Sequence, residues 1–203
     1  ADSPEEHPLL AGGNDGGFRR AGRLKLRHDS EQLEHLVSLG KLPEKPYSVV
    51  SKVFRQVLEK LPTEFAAVDV GAGVNKLLDR AHNRAIHLTW PGRLSGASAL
   101  NPGFDSAAVQ RRFRESELAP EESSCEAQNG VAYVDNILSD EALQALHTWC
   151  LESTMWFSSR SGYVAAFMQE AFNAPLLVQL TEELRRALPD ILGSHQLMNM
   201  WAF

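Results

Sequence analysis

The stretch that decides the fold runs from Val131-Ala132-Tyr133-Val134-Asp135-Asn136 through Cys150-Leu151-Glu152-Ser153-Thr154-Met155-Trp156-Phe157 and Gly162-Tyr163 to Trp201-Ala202-Phe203. Val131 and Tyr133 read as a strand-like entry. Ser139 can cap a helix whose first turn holds Asp140 and Glu141, favourable against the helix dipole. Leu143, Leu146 and Cys150 then face inward, with Trp149 beside them. Met155-Trp156-Phe157 and Gly162 to Phe167 are short and aromatic enough for paired strands, with Ser158 to Gly162 as their turn. Pro175 opens a helix carrying Leu176, Leu177, Leu180, Leu184 and Leu188, Pro189 stops it, and Leu197 to Phe203 reads as a buried strand. Helices followed by strands without regular alternation imply an α+β fold.

Upstream the pattern is helical. Asp29, with Gln32 three residues on, reads as the cap of a first helix with Leu33, Leu36 and Val37 as its buried stripe and Gly40 as its left-handed stop. Val50, Val53, Phe54, Val57, Leu58 and Leu61 recur at three- and four-residue spacing and form the clearest amphipathic helix, ended by Pro62. A helix follows with Val74, Leu77, Leu78 and Ala81 on one face. Trp90 to Phe104 is a loop, and Asp105 or Ser106 starts a short helix through Val109 and Phe113. Four regions are therefore expected: an extended arm over 1–21, a helical region over 22–120, a linker over 121–130 and an α+β region over 131–203.

Composition narrows the function classes. With 43% hydrophobic and 23% charged residues in 203 the chain is of ordinary globular make-up. A net charge of −6 argues against nucleic acid as a partner. No apolar run reaches the roughly 20 residues that span a bilayer, so a soluble protein, or one in peripheral membrane contact, is expected. The basic run Arg19, Arg20, Arg23, Lys25, Arg27 reads as a solvated, partly extended lead-in to the first helix. The arm, rich in Pro, Gly and acid, buries too little to order itself and is expected to be held by a neighbouring protein. Its first residue is Ala1, which fits a processed protein of a chloroplast or mitochondrion. Cys125 and Cys150 form no metal or redox pattern; the spacing leaves a disulfide between them open.

Two motifs invite chemistry. Asp69-Val70-Gly71-Ala72-Gly73 resembles the glycine-rich turn of S-adenosylmethionine methyltransferases, but no acid ends a second strand before Pro91-Gly92. His82 and His87 are five apart, whereas a zinc pair on one helical face needs three or four. Glu182 and Glu183 are adjacent on a helix and read as a solvated face. No catalytic, cofactor-binding or metal-binding residue is assigned from the sequence.

Cys150 to Phe157, Gly162-Tyr163, Pro175-Leu176-Leu177, Glu182-Glu183-Leu184-Arg185, Leu188-Pro189 and Trp201-Ala202 stand in an order that resembles the front part of 2-oxoglutarate/iron(II) oxygenases of the prolyl-hydroxylase-like kind. Ala171-Phe172 and Phe203 depart from Gly-Phe and Tyr in that pattern. The resemblance implies iron held by His-x-Asp/Glu and a distant second His, with a basic residue gripping 2-oxoglutarate. None of the seven histidines (7, 28, 35, 82, 87, 147 and 195) is followed two residues later by Asp or Glu. The expectation is thus a non-catalytic interaction or structural module, a peripheral subunit with protein partners and without cofactor. The alternative is the front of a hydroxylase whose iron-binding half, with iron(II) and 2-oxoglutarate, lies beyond Phe203, and a weaker alternative is an S-adenosylmethionine-dependent methyltransferase built on the Asp69 to Gly73 turn.

Overall fold

The computed structural model describes residues 20–63, 66–73, 75–84, 86, 88–118, 133–160 and 162–203. Most of the expected arm and the whole linker over 121–130, with Cys125 and Val131, lie outside them, as does His87. The architecture is α+β: seven helices among the described residues, with a two-stranded and a three-stranded antiparallel sheet. The residues fall into two compact units. One draws on Ala1–Thr89, Leu151–Phe172 and Asn199–Phe203, the other on Trp90–Cys150 and Asn173–Met198.

The first unit is built on two helices. α1 spans Arg23–Ser38 and α2 spans Glu44–Lys60. Leu26, Leu33 and Leu36 of α1 meet Phe54, Val57 and Leu58 of α2 in one core, with Ala21, Leu42 and Leu78. The stripe expected on α2 is the buried one. α1, however, starts six residues before Asp29. The backbone is extended through β1 (Arg20–Gly22) and turns helical at Arg23, so the basic run is not a solvated lead-in beyond Gly22. Arg23 Nη1 donates to the carbonyls of Leu58 and Leu61 at 3.0 and 2.7 Å, closing the end of α2. Lys25 is buried. Gly40 does stop α1: at φ +67° its N–H donates to Val37 O at 2.9 Å.

A second tie joins the two helices on their outer side. Arg55 Nε donates to Glu34 Oε1 at 2.7 Å and its Nη2 to Oε2, while Ser51 Oγ donates to Oε1 at 2.5 Å. Bidentate Arg–carboxylate pairs hold geometry better than single contacts.

β2 (Ala67–Asp69) pairs antiparallel with β1, Ala21 opposite Val68. The turn after it leads into α3 (Lys76–Ala81), capped by Asn75 Oδ1 accepting from Leu77 and Leu78 N–H. Gly71 N–H donates to Asp79 Oδ1 at 2.6 Å. The Asp-x-Gly-x-Gly turn therefore closes on its own helix, and its strand lies in an antiparallel ribbon, not the parallel sheet a nucleotide-type crevice needs.

The hairpin exists, shifted. β3 is Ser158–Arg160 and β4 is Tyr163–Phe167, with Arg160 opposite Tyr163. Met155, expected in a strand, is instead fully buried ahead of it. Gly162 sits at φ +90° in the tight turn. β5 is only Trp201–Ala202, pairing with Phe167 and Ala166. The buried strand expected over Leu197 to Phe203 is corrected: Met198 is 82% and Phe203 79% exposed. Such a short edge strand leaves these side chains uncovered on the rim.

In the second unit Asp105 caps α4 (Ser106–Leu118) through Ala108 N–H, and Ser139 caps α5 (Asp140–Glu152) through Ala142 N–H. The strand expected at Tyr133 is absent: Tyr133 is exposed, Asn136 adopts φ +52°, and only Leu138 bridges Leu100. On α5 the small Ala142 is buried with Ala99 and Leu176, while Leu143 points out. α6 (Pro175–Ala187) is followed by α7 (Pro189–Leu192). Gln179 of α6 is buried and clamps the 90–104 loop, accepting from Leu94 N–H at 2.7 Å and donating to Ala97 O at 3.1 Å. Glu183 is no solvated carboxylate: its Oε2 accepts from Ser98 Oγ, Ala99 N–H and Leu100 N–H. Glu182 reaches Arg93 at 2.5 Å.

Ala171 occupies φ +90°, ψ 2°, a left-handed position that penalises a Cβ. Ala171→Gly is expected to raise stability by roughly 0.5–1 kcal/mol in urea unfolding, strain relief exceeding the added entropy of the unfolded chain. A drop would mean that the methyl group's packing outweighs the strain. The hydrogen-bonded Arg55 guanidinium draws the Glu34 carboxyl from its usual 4.5 to about 2, against desolvation and with help from Ser51. The folded value is the depressed one, so this stabilisation is complete above about pH 4.5 and lost as pH falls through about 2. Glu34→Gln should flatten the pH dependence of unfolding in that window and leave the remaining slope in place.

Candidate functional site

One turn of α1 places Lys25 and Asp29 on a single face, and the next adds Gln32 and Leu33. This stripe forms one wall of a pocket of about 210 Å³ in the first unit. α2 contributes Tyr47, Val50 and Phe54, and the segment following α3 contributes Asn83, Arg84 and Ile86, with Thr154 closing the rim. The segment is held in place because Ile86 N–H donates to Thr154 Oγ1 at 2.8 Å and Thr154 Oγ1 donates to Arg84 O at 2.6 Å. Gln32 Nε2 ties the same wall to the carbonyls of Leu151 and Ser153 at 3.2 and 3.0 Å.

The electrostatics are unusual for so apolar a space. The Lys25 side chain is 2% exposed and its Nζ donates to Asp29 Oδ2. Asp29 Oδ1 lies 3.1 Å from His28 Nδ1, and the His28 ring stands edge-on to Trp156 with centroids 5.9 Å apart. Burial pushes the Asp29 carboxyl up, but Lys25 and His28 together hold it below the usual carboxylate range. Asn83, in the left-handed region at φ +51°, leaves its Oδ1 without a hydrogen-bond partner among the described residues while its Nδ2 donates to Phe157 O. Arg84 is exposed at the mouth, its Nε donating to Arg80 O at 2.9 Å.

Asp29 was expected as a helix cap and is instead a partly buried counter-ion of Lys25. Lys25 was expected in a solvated basic run. Both were missed because the helix start was placed at Asp29 and not at Arg23. Begun at Arg23, the spacing Lys25, Asp29, Gln32, Leu33 would have put the pair on the packed face.

The described histidines do not assemble. His28 serves Asp29, His82 is buried just after α3, and His35, His147 and His195 are scattered along the chain. Among the described residues no group of three or more His, Cys, Asp or Glu could hold a metal ion. With no His-x-Asp/Glu in the sequence, the residues of this chain do not fit the iron(II) site the oxygenase resemblance implies. Cys150 is half-buried, and burial pushes its thiol up, which disfavours the reactive thiolate. No helix is long and apolar enough to cross a membrane among the described residues.

A second feature lies on the three-stranded sheet. β5 pairs with β4 on one side and with no strand on the other among the described residues. Trp201 and Tyr163 are about half exposed, and the Tyr163 and Phe203 rings are 5.6 Å apart. No family model, curated protein or solved structure matches this chain.

Lys25→Met would leave the partly buried Asp29 carboxylate without its main counter-ion, which costs about 1–3 kcal/mol. Chemical denaturation of Lys25→Met, Asp29→Asn and the double variant should show the double recovering much of that loss. Equal, additive losses would instead assign the cost to packing.

Proposed function

We propose that this chain acts as a non-catalytic interaction module, taking protein onto the open edge of its three-stranded sheet. The observation that carries this reading is the edge of β5, which no strand covers among the described residues, with its exposed aromatics Tyr163, Trp201 and Phe203. A free edge presents unpaired backbone N–H and C=O groups, and an extended segment of another chain can continue the ladder. Aromatic side chains beside that edge supply area at little conformational cost, as interface anchors do. The occupant is thus a strand with apolar side chains on one face.

A second reading is supported by element order. α5, the β3–β4 hairpin, α6 and a last strand containing Trp201-Ala202 follow one another as the oxygenase resemblance implies. On that reading the edge of β5 receives the remaining strands of a hydroxylase domain, which would bring the iron ligands. Intact mass of the protein from its native source separates the two. The mass of a single 203-residue chain supports the module. An excess of about 100 residues or more, with His-x-Asp and a distant His in the added sequence, supports the hydroxylase.

The edge itself is tested in solution. Sedimentation velocity of the 203-residue chain should show concentration-dependent self-association through β5. Trp201→Glu combined with Phe203→Glu should abolish it with far-ultraviolet circular dichroism unchanged. A wild-type chain that stays monomeric at every concentration would sink the interaction reading.

A further inference from the structure

We infer that the pocket between α1, α2 and the segment following α3 is a binding site for a small organic monocarboxylate with an apolar body, such as an aryl or branched-alkyl acid. The inference is independent of the sheet edge and concerns only the first unit. It begins with Lys25. An ammonium carries three N–H donors, and one of them goes to Asp29. The other two have no acceptor among the described residues, although the side chain is 2% exposed and lines the cavity wall. A buried charge is stable only when paired and hydrogen-bonded, so this wall calls for an acceptor.

Charge selects the kind of acceptor. The formal charges lining the pocket are Lys25, Arg84 and Asp29, two positive and one negative, leaving one positive charge to be met. Arg84 Nε is used on Arg80 O, while its Nη groups have no partner among the described residues. A carboxylate in the pocket can take N–H donors from Lys25 and Arg84, which neither an alcohol nor an amine matches in charge. A second carboxylate would leave the site with excess negative charge beside Asp29, so a monoacid is favoured over a diacid.

Shape selects the body. Leu33, Tyr47, Val50, Phe54 and Ile86 supply apolar walls. A cavity of about 150 Å³ lined by such residues holds benzene, so about 210 Å³ accommodates one ring with its carboxylate. The ring would lie against Phe54 and Val50.

Isothermal titration of the full chain with sodium benzoate tests this, with benzyl alcohol as the uncharged probe of similar shape. Benzoate is expected to bind with a dissociation constant on the order of 1 mM or below, and about ten-fold more tightly than benzyl alcohol. Arg84→Gln should weaken benzoate about ten-fold and leave benzyl alcohol unchanged. Arg84 is exposed, so that variant tests the site without touching the core. Val50→Phe, filling the pocket from its half-buried wall, should remove both, with the unfolding midpoint reporting that the variant is folded. Methyl chemical shifts of Leu33, Val50 and Ile86 should move with benzoate in the parent chain. Absence of benzoate binding, equal affinity for the alcohol, or binding that survives Val50→Phe in a folded variant would each overturn the assignment.

Discussion

The Lys25–Asp29 pair is the constraint on which the first unit rests. α1 packs Leu26, Leu33 and Leu36 onto α2, and Lys25 stands directly beside that stripe, where an unpaired ammonium would prevent burial. The i, i+4 spacing supplies the counter-ion from the same helix, so neutralisation arrives with the first turns and needs no other element. His28 then engages the second oxygen of Asp29 and sets its ring against Trp156. A chain segment more than a hundred residues away is thereby seated on α1 through a network that begins with one buried charge. Gln32, one turn further along, does the same with two backbone carbonyls.

The second unit meets a related problem by similar means. Its long loop over 90–104 has a single isolated bridge, Leu100 with Leu138, as regular pairing among the described residues, and its other buried N–H groups must still be satisfied. α6 provides the acceptors from two positions on one face, Gln179 and Glu183, themselves joined by a hydrogen bond of 2.7 Å. The buried face of α6 is consequently polar at its centre and apolar at Leu176 and Leu180. Arg93 on Glu182 and Arg114 on Asp190 add exposed ties of small energetic weight.

Much of the helical skeleton was legible because apolar spacing and caps are local signals. The α2 stripe, the Gly40 stop, the caps at Asp105 and Ser139 and the start at Pro175 all rest on residues within a few positions of one another. What the sequence concealed depends on distant partners. Lys25 inside a run of arginines looks solvated until its packing surface is known, so the pocket it lines could not be read. Leu143 outranks Ala142 in hydrophobicity, yet the close approach of Ala99 and Leu176 selects the small side chain. β3 lies three residues later than aromatic content suggested, because Met155 is taken into the core.

The two rims of the three-stranded sheet are not alike, and their difference bears on which of them the proposed interaction would use. β3 carries Ser158, Ser159 and Arg160, and Gly22 of β1 lies against it: a Cβ at Gly22 would be 3.7 Å from Ser159 Oγ. That rim is polar in sequence and already flanked. β5 carries Trp201 and is followed by Phe203, with no lysine, proline or bulge of the kind that blunts a free edge. Its brevity limits the backbone groups it can offer, so backbone pairing alone would make a weak contact. The aromatics beside it supply the missing area, and the Tyr163–Phe203 contact brings β4 into the same surface. An edge protected only by its shortness and lined with aromatic side chains is the feature on which the proposed interaction rests.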